Sequence, residues 1–163
     1  LLDRRLDRAV MHNTLPLEGI EVEPVLHERM VLAHAPANEP DARKAKIIKI
    51  RDLGSIPLIL PSLPHSNRRL IERAAAQHGA CLNIVAEVDS VRFTKAAGEL
   101  AIRIIDQPPL MSTLCIGMPR EGKSAWLTME TARLVRGVIA ALVERGDWVG
   151  ARMIGQDAKA VVA

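Results

Sequence analysis

Aromatic residues are scarce in this sequence of 163 residues: Trp126, Trp148 and Phe93, with no tyrosine. Single-stranded nucleic acid and sugars are held by stacking on several exposed rings, so neither is a favoured partner. Cysteine is rarer still. Cys81 and Cys115 form no CxxC, and no Cys/His cluster has zinc spacing. Both lie in apolar surroundings, Ala80-Cys81-Leu82 and Leu114-Cys115-Ile116, and read as buried thiols of a reducing, cytoplasmic setting. No apolar run approaches the roughly 20 residues a membrane helix needs. The first eight residues carry charges throughout, unlike a signal peptide, and the chain starts with Leu1, as one that begins within a longer protein does. Catalytic signatures are missing as well. There is no GxSxG, Walker loop, GxGxxG or HExxH. The five histidines, His12, His27, His34, His65 and His78, form no i,i+4 pair and none stands at ligand spacing from a cysteine. Nothing near either thiol lowers its pKa toward a nucleophile's. The sequence thus reads as that of a protein that is not an enzyme and holds no metal or cofactor.

What is present is a globular balance, 48% apolar and 25% charged. The net charge of +3 comes from 22 basic and 19 acidic residues and is spread along the chain. Its densest basic run is Arg43, Lys44, Lys46, Lys49 and Arg51, read as a solvated face, with a phosphate-binding patch as the alternative. Strand candidates are residues 6–12, the alternating run 20–26 and the near-continuous apolar run 29–35. A loop rich in proline and charge follows at 35–43. Next comes a βαβ unit: a strand at 56–60, a turn at 61–65, Ser66 as N-cap, a helix over 67–78 burying Leu70, Ile71, Ala74 and Ala75, Gly79 as its left-handed end, and a parallel strand at 81–88. Asp89 or Ser90 caps a short helix interrupted at Gly98. Strands are expected at 100–105 and 113–118. A helix over 129–144 follows, capped by Thr128, with Glu130 in its first turn and Val135, Val138, Ile139 and Leu142 as its buried stripe. Trp126 is expected beneath that helix, Trp148 where the chain returns to the core, and the tail 157–163 is expected to fray. Strands alternating with helices give an α/β class.

One local feature carries candidate chemistry. Leu58-Ile59-Leu60-Pro61-Ser62-Leu63-Pro64-His65-Ser66-Asn67-Arg68 places hydroxyls, a histidine and a helix N-terminus at the carboxyl end of a strand. Open α/β sheets bind ligands at such ends, and free amides with the helix dipole favour an anionic group. Ser62, His65 and Ser66 are the candidates. The plainer reading is that Ser66 only caps the helix and the prolines shape the turn. Asn13 and Thr14 follow the first strand in the same way, either facing a cleft or forming a simple turn.

Further motifs carry a resemblance. Arg5-Leu6-Asp7-Arg8-Ala9-Val10-Met11-His12-Asn13 resembles the G-x-L-D-x-A-hydrophobic strand of LysR-type transcriptional regulators. Val25-Leu26-His27-Glu28-Arg29-Met30-Val31-Leu32 resembles their L-x-E-x-L-V-L segment. Ile50-Arg51-Asp52-Leu53, then Ile56-Pro57-Leu58-Ile59-Leu60-Pro61-Ser62, is similar to L-x-D-L followed by P-L-I-L-P-S, and Glu87-Val88-Asp89-Ser90 to E-V-D-S. Arg145-Gly146-Asp147-Trp148-Val149-Gly150-Ala151 is similar to a C-terminal motif of the nitrogen-assimilation-control branch. Each motif is loose, but their order over residues 2–155 is specific.

The resemblance implies a two-lobed, periplasmic-binding-protein-like (type 2) α/β fold, present in part, with two crossing hinge strands at 29–35 and 112–118. Residues 1–35 would belong to lobe I, 36–111 to lobe II, and 112–163 would return to lobe I with a C-terminal helix. It implies a small, anionic effector between the lobes, held by Asn13, Ser62, His65 and Ser66, with Thr113 on the returning strand. It also implies a homo-oligomer, dimer or tetramer, that meets DNA only through a winged helix-turn-helix absent from this chain, and no membrane. The chain departs from the pattern after Arg92-Phe93-Thr94-Lys95. Ala96-Ala97-Gly98-Glu99-Leu100 follows at once, where the family has a further strand and helix that furnish much of its pocket. Loss of both would uncover apolar surface. The alternative function is a stand-alone solute-binding protein of the same fold.

Overall fold

The computed structural model describes residues 1, 6–35, 46–89, 100–120 and 126–155. In chain order the elements are β1 (Ala9–His12), β2 (Ile20–Arg29), β3 (Val31–His34), β4 (Ile47–Lys49), a 3-10 helix (Ile50–Ser55), β5 (Pro57–Leu60), α1 (Ser66–Gln77), β6 (Asn83–Glu87), β7 (Ala101–Asp106), β8 (Met111–Pro119), α2 (Trp126–Glu144) and β9 (Ala151–Met153). They fall into two compact units, Leu1–Glu28 with Ser112–Ala163, and Arg29–Met111. The loop expected at 35–43, the departure at 95–96, the short helix beyond Asp89 and the tail 157–163 lie outside the described residues, apart from Ala35.

The first unit holds a four-stranded sheet in the order β1-β8-β2-β9. β1 runs antiparallel to β8 and β9 antiparallel to β2. β8 is flanked on both edges, and its Ser112, Leu114, Cys115, Ile116 and Gly117 are all buried. A nearly continuous buried run is what a strand covered on both faces requires. The core joins Val25, Leu26, Leu114, Ile116, Ile139 and Met153, with Trp148 packed against it. α2 contributes Ala132, Val135 and Ile139 at spacings of three and four, the stripe of an amphipathic helix. Val138, expected in that stripe, is 60% exposed because it lies one residue, about 100°, off it. Trp126 opens the helix and is 76% exposed rather than packed beneath it, since six residues before Ala132 is not a stripe position. The helix starts at Trp126, so Thr128 and Glu130 fall inside it and not at its cap or first turn.

The second unit has a three-stranded sheet, β3-β7-β4, and a parallel pair, β5-β6. β3 is antiparallel and β4 parallel to β7. Its core joins Ile48, Ile50, Leu53, Leu58, Ile71, Ala74, Ile105 and Leu110. The βαβ unit forms as its pattern predicts: β5, α1, Gly79 at φ +68° and a parallel β6. Cys115 is buried, but Cys81 is exposed in the segment entering β6, so its apolar neighbours in sequence do not cover it.

Candidate functional site

β1 ends in a turn that β8 holds by hydrogen bonds. Asn13 has φ +50°, a left-handed conformation that asparagine tolerates better than most residues. Its backbone N–H donates to Thr113 O at 2.8 Å, and its Oδ1 accepts from Thr113 N at 2.8 Å. Its Nδ2 donates to the hydroxyl of Ser112, which is fully buried, at 3.1 Å. Asn13 therefore clamps β1 to β8 through backbone and side chain together. His27 Nδ1, on β2, stands 3.0 Å from Thr113 Oγ1. His12 Nδ1 lies 3.2 Å from Glu28 Oε1, and Trp148 Nε1 donates to Glu28 Oε2 at 3.1 Å. The tryptophan of the C-terminal motif thus anchors the carboxylate at the end of β2 as well as packing on the core.

Beside this network lies a cavity of about 510 Å³. Asn13, Thr14, Thr113, Cys115 and Arg120 supply its polar and sulfur lining, and Pro16, Leu17, Ile20, Val22 and Pro24 its apolar wall. A concave apolar pocket with a few placed polar groups is the usual form of a small-molecule site. Arg120 gives it a cation. Burial pushes the Cys115 thiol pKa up, outweighing the bond from the Thr14 backbone, which favours the thiol over the thiolate.

The second set of sequence candidates sits in the second unit, at the start of α1. His65 is the N-cap. Its Nδ1 accepts from Asn67 N at 3.2 Å, while Ser66 is the first helical residue. The cap expected at Ser66 is therefore one residue earlier, because an imidazole nitrogen reaches the second helical amide as a serine oxygen would. Ser62 gives its N–H to Asp89 Oδ1 at 2.9 Å and its hydroxyl to Asp89 Oδ2. These two bonds, with the nearby His65 assisting, hold the Asp89 carboxyl below its ordinary range. Ser62 thus already serves an anion of this chain. Arg68, which sequence reasoning passed over, is 6% exposed and holds Glu72, Glu87 and Pro61 O at 2.7, 2.8 and 3.0 Å. Only the family-like Glu87-Val88-Asp89 hinted at it, since it puts one of the partners, Glu87, at a strand end.

The structure brings Asn13 and Thr113 into direct contact, and brings Ser62, His65 and Ser66 into one turn. Among the described residues there is no group of three His, Cys, Asp or Glu side chains able to hold a metal, and no helix is long and apolar enough to cross a membrane.

Residues 1–105 match the family model of the LysR substrate binding domain. The regulator BbuR of Bordetella bronchiseptica, an HTH-type transcriptional regulator, is 26% identical over 92% of this chain and 52% of its own length. The chain spans about half of that curated relative. Among solved structures, the effector-binding domain of QuiR in complex with shikimate aligns with TM-score 0.68 and 17% identity, over 79% of this chain and 69% of that one. The regulatory domain of CcmR from Synechocystis, in complex with 2-PG, aligns with TM-score 0.66 and 17% identity, over 84% and 75%. The chain shares the fold of these domains, the periplasmic-binding-protein-like α/β fold.

Proposed function

The chain belongs to the LysR substrate-binding domain family, and we propose that it is the effector-sensing part of a longer DNA-binding transcriptional regulator. The observation that carries this reading is the cavity walled by Asn13, Thr113 and Arg120. It offers a hydroxyl, an amide and a guanidinium around an apolar wall, a set that suits a small organic acid. Two structures of the same fold contain shikimate and 2-PG, which supports an anionic effector here. The proposed contacts at this cavity are Asn13 and Thr113, and Ser62, His65 and Ser66 form a separate proposed contact set within the second unit. No residue performs chemistry in this reading. The effector acts only through its different affinity for two states of the protein. DNA is met by a winged helix-turn-helix elsewhere in the regulator, which works as a homo-oligomer in the cytoplasm. The motif around Trp148 supports a place near the nitrogen-assimilation-control branch.

The test is a native mass spectrometry titration of the whole chain against shikimate, 2-PG and a panel of small mono- and dicarboxylates. At least one acid should bind. Thr113→Val, which keeps the shape and removes the hydroxyl, should weaken it by about tenfold, the worth of one hydrogen bond to a charged group. A chain that binds none of them, or a variant that binds as tightly as the parent, contradicts the assignment.

A further inference from the structure

β7 is the middle strand of its sheet and its side chains alternate between two faces. Ile105, 2% exposed, marks the core face, and Ile102, 61% exposed, the other. Arg103 is two residues from Ile105 and therefore shares the core face. Across the sheet it stands opposite Leu32 of β3, which packs against the core. On the other side Ile104 N bonds to Lys46 O at 2.8 Å, just before β4. Lys46 is two residues from the buried Ile48, so it too belongs to the core face. His34, two residues beyond Leu32, belongs to the same face and pairs with Ala101. Its Nδ1 donates to Ala35 O at 2.8 Å, which leaves Nε2 as its outward nitrogen. Three cationic or titratable side chains, from β3, from β7 and from the residue just before β4, thus share one end of one sheet face.

Their counter-charge is missing among the described residues. Nε of Arg103 is buried with no hydrogen-bond partner. The acids described in this unit are engaged elsewhere. Glu72 and Glu87 hold Arg68, Asp89 holds Ser62, Asp52 stands 3.6 Å from Arg51, and Asp106 accepts from Gln107 N. A buried donor left unmade is costly, and a guanidinium more so.

We infer that Arg103, Lys46 and His34 form an anion site in the second unit and that its ligand carries a phosphoryl group, free or as a phosphate monoester. A planar fork and an ammonium offer donors in several directions, to which the imidazolium form of His34 adds an Nε2–H, and this set matches a tetrahedral oxyanion with three acceptor oxygens better than a planar carboxylate. The site shares no residue with the proposed effector contacts and stands whether or not the sensing function does. Of the dense basic run in the sequence, Lys46 is the member it uses.

The test is an NMR titration of the whole 163-residue chain with inorganic phosphate, then with glycerol phosphate, at constant ionic strength set by sodium chloride. Phosphate should shift the amides of Leu32, His34, Lys46 and Arg103 and the Arg103 Nε–H resonance in a saturable way. Arg103→Gln should weaken this by at least about tenfold. Lys46→Gln, an exposed position whose change leaves the core intact, should weaken it too. Saturation by inorganic phosphate alone points to the free ion, and by both probes to a monoester site. Two results overturn the proposal: phosphate acting no differently from chloride, or Lys46→Gln and a folded Arg103→Gln binding phosphate as the parent does.

Discussion

Asp89 accepts both the amide and the hydroxyl of Ser62, and those bonds lower its pKa from the ordinary 3.8. A depressed folded-state pKa means the carboxylate binds protons less readily folded than unfolded. Its stabilising contribution is therefore complete above 3.8 and is lost as pH falls through the lower folded value. Asp89→Asn carries no such proton. Urea denaturation of parent and variant should show the widest stability gap at neutral pH and a shrinking gap as acid is added below 3.8. A gap that stays constant with pH would show that the Ser62 bonds do not depend on charge. This pair also shows what the site residues could and could not reveal in sequence. Ser62 and His65 were legible as polar groups at a strand end, because a local strand-turn-helix pattern placed them. Their partners were not. Asp89 lies 27 positions from Ser62, and Thr113 lies 100 from the Asn13 that holds it. Only strand pairing brings such residues together, and no local pattern encodes it.

Among the elements, the 3-10 helix Ile50–Ser55 was hidden in the sequence although Ile50 and Leu53 are among the most buried residues of the chain. It has too few residues to show a period, and the neighbouring β4 has three. Longer patterns were readable: α1 with its stripe at Leu70, Ile71, Ala74 and Ala75, and the parallel β5 and β6 around it. α2 was readable in extent but its start was placed a few residues late, because Thr128 resembles a cap in sequence whereas the helix already spans it. The 3-10 helix is fixed by a close approach. A Cβ on Gly54 would stand 2.6 Å from the backbone carbonyl oxygen of Cys81, at the entry to β6. A backbone atom cannot swing aside as a side chain can. Gly54→Ala should therefore destabilise the chain by about 1–3 kcal/mol, the usual cost of overpacking. Gly137→Ala, where a Cβ meets nothing within 4 Å and the residue lies inside α2, is the control and should be neutral or slightly stabilising. Equal denaturation midpoints for Gly54→Ala and the parent would mean that the two segments separate at no cost.

At the scale of the whole molecule, the two apolar clusters share no residue. One is built from Val25, Leu26, Leu114, Ile116, Ile139 and Met153, all in the first unit, the other from residues of the second. Each cluster contains a fully buried leucine, Leu26 and Leu53 respectively. Cutting either to alanine should cost about 2–5 kcal/mol from lost burial and the cavity left behind. Where that cost appears depends on cooperativity. Local openings occur in contiguous units with their own free energies, so separate cores predict separate losses. In hydrogen exchange, Leu53→Ala should speed the amides of α1 and β6 while those of β8 keep their protection. Leu26→Ala should do the reverse. The same logic separates the two ligand readings. A ligand stabilises the state that binds it by mass action, so an acid in the cavity beside Thr113 should slow exchange first in β8 and β2, and phosphate at Arg103 first in β3 and β7. If either leucine substitution loosened both sets of amides equally, the molecule would open as one unit, and an effector on one core would act on the other directly through global stability.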